Sequence, residues 1–193
     1  MKWKFLFALL ISSAITKAQL TDREIRNLKG GHVKPDNSFV YHLPFAKGSK
    51  FLLIQAYNSK MSHKDELSLD FKMCKGSKIC AARAGVVTEI KKDSDAGGLK
   101  DEYLSQGNHI IITHSDGSTA MYWHLKKDGV LVNVGDSVTQ GQHIGYSGNT
   151  GYTAFPHLHF QVYDSNGTNI ATRFLTKKGI SYLRPGKYYR CIQ

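Results

Sequence analysis

His157-Leu158-His159-Phe160-Gln161-Val162-Tyr163 alternates without a break. In an extended chain successive side chains point to opposite faces. Leu158, Phe160 and Val162 therefore form one apolar face, and His157, His159, Gln161 and Tyr163 form the other. Asp164-Ser165-Asn166-Gly167 follows as a turn. The stretch predicts a strand with one side for a core and a second side bearing two imidazoles, their Cβ atoms about 6–7 Å apart.

Two further stretches repeat the pattern. In Leu67-Ser68-Leu69-Asp70-Phe71-Lys72-Met73 every odd position is apolar, and Ser68, Asp70 and Lys72 share the opposite face. Ile110-Ile111-Ile112 runs into the turn signal Ser115-Asp116-Gly117-Ser118 and returns as Met121-Tyr122-Trp123-His124-Leu125, a hairpin with Tyr122 and His124 on one face. No long helical period, low-complexity tract or repeat is present. Short strands separated by glycine-bearing turns predict a mostly β fold, with antiparallel sheets forming an open barrel or sandwich. Residues 19–38 are polar, with a short helix expected at Thr21–Leu28 before Gly30-Gly31. After about residue 170 a basic tail with one or two more strands is expected.

The 193 residues suit one domain with short extensions, and 41% hydrophobic with 21% charged residues excludes wholesale disorder. Lys2 and Lys4, the apolar run Phe5–Ile15 and small residues on either side of Lys17 have the layout of a cleavable export signal, with cleavage expected after Ala18. The run is shorter than the roughly 20 residues that span a bilayer, and no later stretch is apolar enough to do so. Removing Lys2, Lys4 and Lys17 with this segment takes the formal charge from +11 to +8. Such a surface suits an anionic partner, and export disfavours intracellular nucleic acid. Three cysteines, Cys74, Cys80 and Cys191, permit a disulfide in an exported protein. The Cys74–Cys80 spacing would close a small turn, and the pairing itself is open.

His63 follows Ser62 in a polar stretch and is expected on a loop that folds back towards the strand of Asp70. Two histidines and one aspartate make a catalytic zinc set, with three protein ligands and an open position for water. Hydrolysis also needs a base and a group that stabilises the charged transition state. His124 and His157, both expected on polar strand faces, remain for those roles.

These residues, in order, resemble the LytM/lysostaphin-type zinc endopeptidases, secreted peptidoglycan hydrolases. The resemblance runs from about Tyr41 to Asn166. It rests on Ser62-His63 with Leu69-Asp70-Phe71, Ala81-Ala82-Arg83-Ala84-Gly85-Val86-Val87, and Gly107-Asn108-His109 through His114. Tyr122-Trp123-His124-Leu125, Gly135-Asp136, Gly141-Gln142-His143-Ile144-Gly145, Ser147-Gly148-Asn149-Thr150-Gly151 and Pro156-His157-Leu158-His159-Phe160 complete it. It implies one zinc ion held by His63, Asp70 and His159, with His157 as the base that activates water. His124 would orient that water or stabilise the oxyanion. It implies a groove floored by the strands above and peptidoglycan peptides as substrate; the basic charge adds anionic wall polymers as expected further partners. The implied organisation is a signal peptide at 1–18, an N-terminal extension at 19–40, the peptidase domain at 41–166 and a C-terminal extension at 167–193, in a secreted or periplasmic protein.

Two departures stand out. Gly76-Ser77-Lys78-Ile79 replaces the Gly-Thr-Pro-Val of many members and is flanked by Cys74 and Cys80. Ala154-Phe155 replaces small residues with glycine, so Phe155 is expected to narrow the groove or stack on substrate. Three other readings fit less well. Zinc D-Ala-D-Ala peptidases share His-x6-Asp, but their Glu-x-x-His or Glu-x-Trp-His element is missing. A biotinyl or lipoyl carrier resembles Val132–Gly145 but lacks the modified lysine. A non-catalytic wall-binding protein of the same fold would not need all five polar groups.

Overall fold

The computed structural model describes residues 22–30 and 39–193. The expected export signal lies outside the described residues. The expected N-terminal helix falls on α1 (Asp22–Gly30). The strands are β1 (Lys50–Gln55), β2 (Leu69–Lys72), β3 (Lys78–Cys80), β4 (Gly85–Lys91), β5 (Gly97–Gly98), β6 (His109–Thr113), β7 (Thr119–Trp123) and β8 (Leu125–Val130). They continue as β9 (Ser137–Val138), β10 (His143–Ser147), β11 (Gly151–Tyr152), β12 (His157–Tyr163), β13 (Asn169–Ile170), β14 (Arg173–Thr176), β15 (Gly179–Tyr182) and β16 (Lys187–Arg190).

The three alternating stretches become β2, the β6–β7 hairpin and β12, but Tyr122 and His124 do not share a face as expected: Tyr122 joins the core, and the left-handed backbone at His124, just past the end of β7, sends that ring to the groove. The hairpin turn places Gly117 at φ 79°, where a side chain would be strained. One antiparallel sheet of nine strands runs β16-β1-β2-β12-β7-β6-β4-β9, with β13 also on β12. A smaller sheet, β3-β10-β8, packs beneath it. The sheets are open, as expected of a mostly β chain. Leu53, Phe71, Tyr122, Leu158 and Phe160 from the large sheet meet Ile79, Leu125, Val130 and Ile144 from the small one in a single core. Each such side chain contributes about 1.5–3 kcal/mol by leaving water. Tyr122 is fully buried, and its hydroxyl accepts the Ala82 N–H at 2.8 Å.

Residues 167–193 are more than a tail. β16 pairs with β1 in the register Lys50↔Arg190 and Leu52↔Tyr188, while Phe174, Leu183 and Cys191 join the core. Their weak alternation hid this, because β16 is an edge strand with little to bury. All three cysteines are free thiols: Cys74 is exposed, and Cys80 and Cys191 are buried. The Cys74–Cys80 loop is closed by hydrogen bonds instead, since the Cys74 carbonyl accepts from Ser77 Oγ (2.8 Å) and Ser147 Oγ (2.7 Å).

Candidate active site

β12 lies between β2 and β7, so His159 stands opposite Asp70 on one side and Trp123 on the other, and His157 stands opposite Lys72. Paired residues of an antiparallel sheet share a face. Asp70 and both histidines therefore point away from the core together. His63 arrives from the loop between β1 and β2. That loop folds back through Asn58 N–H to the Glu66 carbonyl (2.7 Å) and Glu66 N–H to the His63 carbonyl (3.1 Å). His63 ends 1% exposed, with Nε2 3.1 Å from Asp70 Oδ2. His159 Nδ1 lies 3.0 Å from Asp70 Oδ1. On β1, buried Gln55 donates from Nε2 to Asp70 Oδ2 (3.0 Å) and Ser62 Oγ (2.6 Å).

His124 follows directly on β7 at φ 65°, a left-handed conformation that costs a non-glycine residue about 1–3 kcal/mol. This residue turns the chain out of the large sheet into β8 of the small one. Its ring centroid is 4.6 Å from that of His157 and 5.9 Å from that of His159. Its Nδ1–H donates to the Thr150 carbonyl at 2.7 Å. Thr150 is fixed in turn: its hydroxyl donates to the Leu125 carbonyl (2.8 Å) and accepts the Asn108 N–H (3.0 Å). Next to it, Gly151 at φ 83° passes Gly107 so closely that a Cβ would sit 2.7 Å from the Gly107 Cα. His157 Nδ1–H donates to the Phe155 carbonyl (2.9 Å), with Thr153 Oγ1 at 3.2 Å. The nitrogens facing the site from His124 and His157 are therefore the unprotonated Nε2 atoms of neutral rings.

The residues line an open groove of about 560 Å³, with Met61, Leu99, Leu104, Trp123, Tyr152 and Phe155 among its walls. Phe155 stands beside His157, ring centroids 5.6 Å apart, and remains 38% exposed.

Burial, together with neighbouring His157 and His159, lowers His124 to a pKa of about 3. Burial also lowers His157, against the pull of Asp70. Burial would raise Asp70, but the hydrogen bond with His159 and the close approach of His63 outweigh it and hold the carboxyl well below the usual range. The site thus joins an ionised carboxylate to imidazoles. Neither ring nitrogen of buried His63 has an aligned hydrogen-bond partner. An orphaned imidazole beside a carboxylate and a second imidazole is a donor set that fits zinc. Glu66 adds a further carboxylate, since single donor atoms of His63, Glu66 and His159 lie within 4.8 Å of one another.

All five residues expected from the sequence meet at this groove: His63, Asp70, His124, His157 and His159. Glu66, Gln55, Thr150 and Asn108 were not anticipated. Thr150 and Asn108 lie in the runs that carried the resemblance, which marked them without a role. Gln55 had no sequence signal, as it ends the apolar run Phe51–Ile54.

The profile of peptidase family M23 matches residues 64–172, beginning one residue after His63. The chain belongs to peptidase family M23. Members of M23 are zinc metallopeptidases. This M23 chain is 39% identical to lysostaphin of Staphylococcus simulans over 94 residues, 48% of this chain and 17% of lysostaphin. It is 36% identical to the peptidoglycan DD-endopeptidase ShyA of Vibrio cholerae over 93 residues, 48% of this chain and 19% of ShyA. The M23 chain thus spans less than a fifth of either relative. Its fold superposes on the lysostaphin structure with a TM-score of 0.51 and 31% identity, covering 67% of this chain and 50% of that one. The M23 metalloprotease pseudoalterin, from the deep sea, shares the fold at a TM-score of 0.52 and 20% identity, over 81% and 97% of the two chains.

Proposed function

We propose that this M23 chain is an exported zinc endopeptidase that cuts peptide bonds in peptidoglycan stem peptides or cross-bridges. One observation carries the reading: His63, Asp70, His124, His157 and His159 come from four separate segments and converge on one groove. The naming of ShyA as a peptidoglycan endopeptidase supports the substrate class. The basic residues and apolar run before Gln19 support export, and among the described residues no helix is long and apolar enough to cross a membrane. A net charge of +8 after processing would concentrate the enzyme on anionic wall polymers.

In this reading His63, Asp70 and His159 hold the zinc ion. When bound, the ion lowers the pKa of water to about 7 and polarises the scissile carbonyl. Asp70 serves two partners, and Gln55 fixes its carboxylate. The two Nε2 atoms of His124 and His157 are acceptors for the two O–H bonds of the attacking water, so they orient it. His157 takes the proton as general base. Its Nε2 lies 3.7 Å from Asp70 Oδ1, where the carboxylate stabilises the imidazolium that forms. His157 then donates to the leaving amine. His124 is held neutral by its burial, so it orients the water and becomes an oxyanion donor only if it is protonated during the reaction.

Mass spectrometry of fragments released from purified peptidoglycan tests this. The zinc-loaded chain should release peptides and His157→Ala should not, while that variant keeps its zinc. His159→Ala should lose both. Zinc lost from His157→Ala but retained by His159→Ala would refute the assignment, and no fragments from any wall type would refute the activity.

A further inference from the structure

The catalytic face of the large sheet does not end at the groove. Register carries it outward, because paired residues share a face. Asp70 and Lys72 lie on that face of β2, Lys72 pairs with Leu52 of β1, and Leu52 pairs with Tyr188 of β16. Beyond Phe51–Tyr189, which faces the other way, the next pair on this face is Lys50 with Arg190. Lys72, Lys50 and Arg190 are exposed, and Tyr188 is 62% exposed. No acidic residue shares these positions, and none of the three cations pairs with a carboxylate among the described residues. Lys50 Nζ lies 5.0 Å over the Tyr188 ring. Like charges directly opposite on neighbouring strands are destabilising, yet Lys50 and Arg190 face each other on the open edge. A bound anion would relieve that repulsion.

We infer that β2, β1 and β16 form a basic ramp, continuous with the groove, that binds the carboxylates of an acidic peptide segment of the substrate. From Asp70 to Arg190 is two strand spacings across and four residues along. That is roughly 16 Å, about five residues of extended peptide. The segment therefore lies about five positions from the bond that is cut, which deepens and rests on the peptidase reading above. Tyr188 and Leu52 pack against the peptide's backbone between the cations.

The test is fluorescence anisotropy with the full zinc-loaded chain and two labelled decapeptides of Gly and Ala. One ends in three Glu, the other in three Gln. At low salt the Glu peptide should bind about fivefold more tightly, as expected of a few exposed charge contacts. That preference should shrink at 0.5 M NaCl. Lys50→Glu with Arg190→Glu should abolish it, while Lys177→Glu with Lys178→Glu, an equal change of charge in the β14–β15 turn, should keep it. Lys50→Gln with Arg190→Gln serves if the reversal does not fold. Equal binding of the two peptides, or equal loss in both double variants, would overturn the ramp. Cleavage is read separately: a Glu preference without release of wall fragments would uphold the ramp and sink the peptidase reading. Fragments released without a Glu preference would do the reverse.

Discussion

Thr150→Val separates the support of the site from its chemistry. Valine keeps the shape and removes the hydroxyl. Two hydrogen bonds go with it, to the Leu125 carbonyl at 2.8 Å and from the Asn108 N–H at 3.0 Å. The losses are unequal. The Leu125 carbonyl retains a contact from Asn108 Nδ2 at 3.3 Å, whereas the buried Asn108 N–H is left without a partner. An orphaned buried donor costs about 1–3 kcal/mol, so a destabilisation of about 2 kcal/mol is expected. For a chain of this size that is a fall in Tm of roughly 4–8 °C. The Thr150 carbonyl still accepts from His124, so zinc content should be unchanged and turnover should fall less than tenfold. Urea unfolding followed by tryptophan fluorescence, with wild type and variant equally zinc-loaded, gives the stability difference at constant slope. A difference under 0.5 kcal/mol would refute the role given to this hydroxyl. A full loss of turnover at wild-type stability would mean that Thr150 acts on substrate instead.

Three further outcomes are expected. Asp70→Asn should weaken zinc binding by more than roughly 100-fold, beyond the cost of losing an outer partner, and Glu66→Gln by less than tenfold. Competition against a chromogenic chelator measures both, and the opposite order would make Glu66 the carboxylate ligand. Gly151→Ala should destabilise the fold by about 2 kcal/mol or more, through its left-handed φ and the approach to Gly107, with thermal unfolding as the readout. Burial lowers the pKa of His114, so the unfolded state takes up the proton first and stability falls as pH drops below about 6.5. His114→Asn should therefore lose less stability than wild type between pH 7.5 and 5.5 in urea titrations. An unchanged slope would show that His114 does not contribute to acid sensitivity.

The parts of the fold that could be read from sequence were those with one dry face and one polar face. β2, β6, β7 and β12 alternate because each covers the core on one side only, and the same alternation put His157, His159 and Asp70 on a common side. β1 and β16 were harder. Phe51 to Ile54 is apolar on both faces, and β16 offers only Tyr189 inward, so neither announces its register. Gln55 was hidden for the same reason, since it is identified by its contact with Asp70 and not by its neighbours in sequence. The Cys74–Cys80 spacing suggested a staple, but Ser77 and Ser147 meet the same carbonyl and close the turn without one.

The four histidines also show what spacing alone leaves undecided. His157 and His159 are two residues apart on one strand, equivalent by alternation. They differ in which nitrogen faces the site. His157 commits Nδ1–H to the Phe155 carbonyl and His124 commits its own to Thr150, which leaves Nε2 as the free base in each. His159 instead turns Nδ1 to Asp70, the same carboxylate that meets His63 Nε2. In the proposed mechanism, backbone carbonyls therefore choose the two rings that would handle protons, and Asp70 chooses the two that would hold the cation. The choice depends on the bend before His157 and on the left-handed turn at His124. A change that alters those bends should disturb proton transfer before it disturbs metal binding, whereas a change at Gln55, which holds Asp70, should do the opposite.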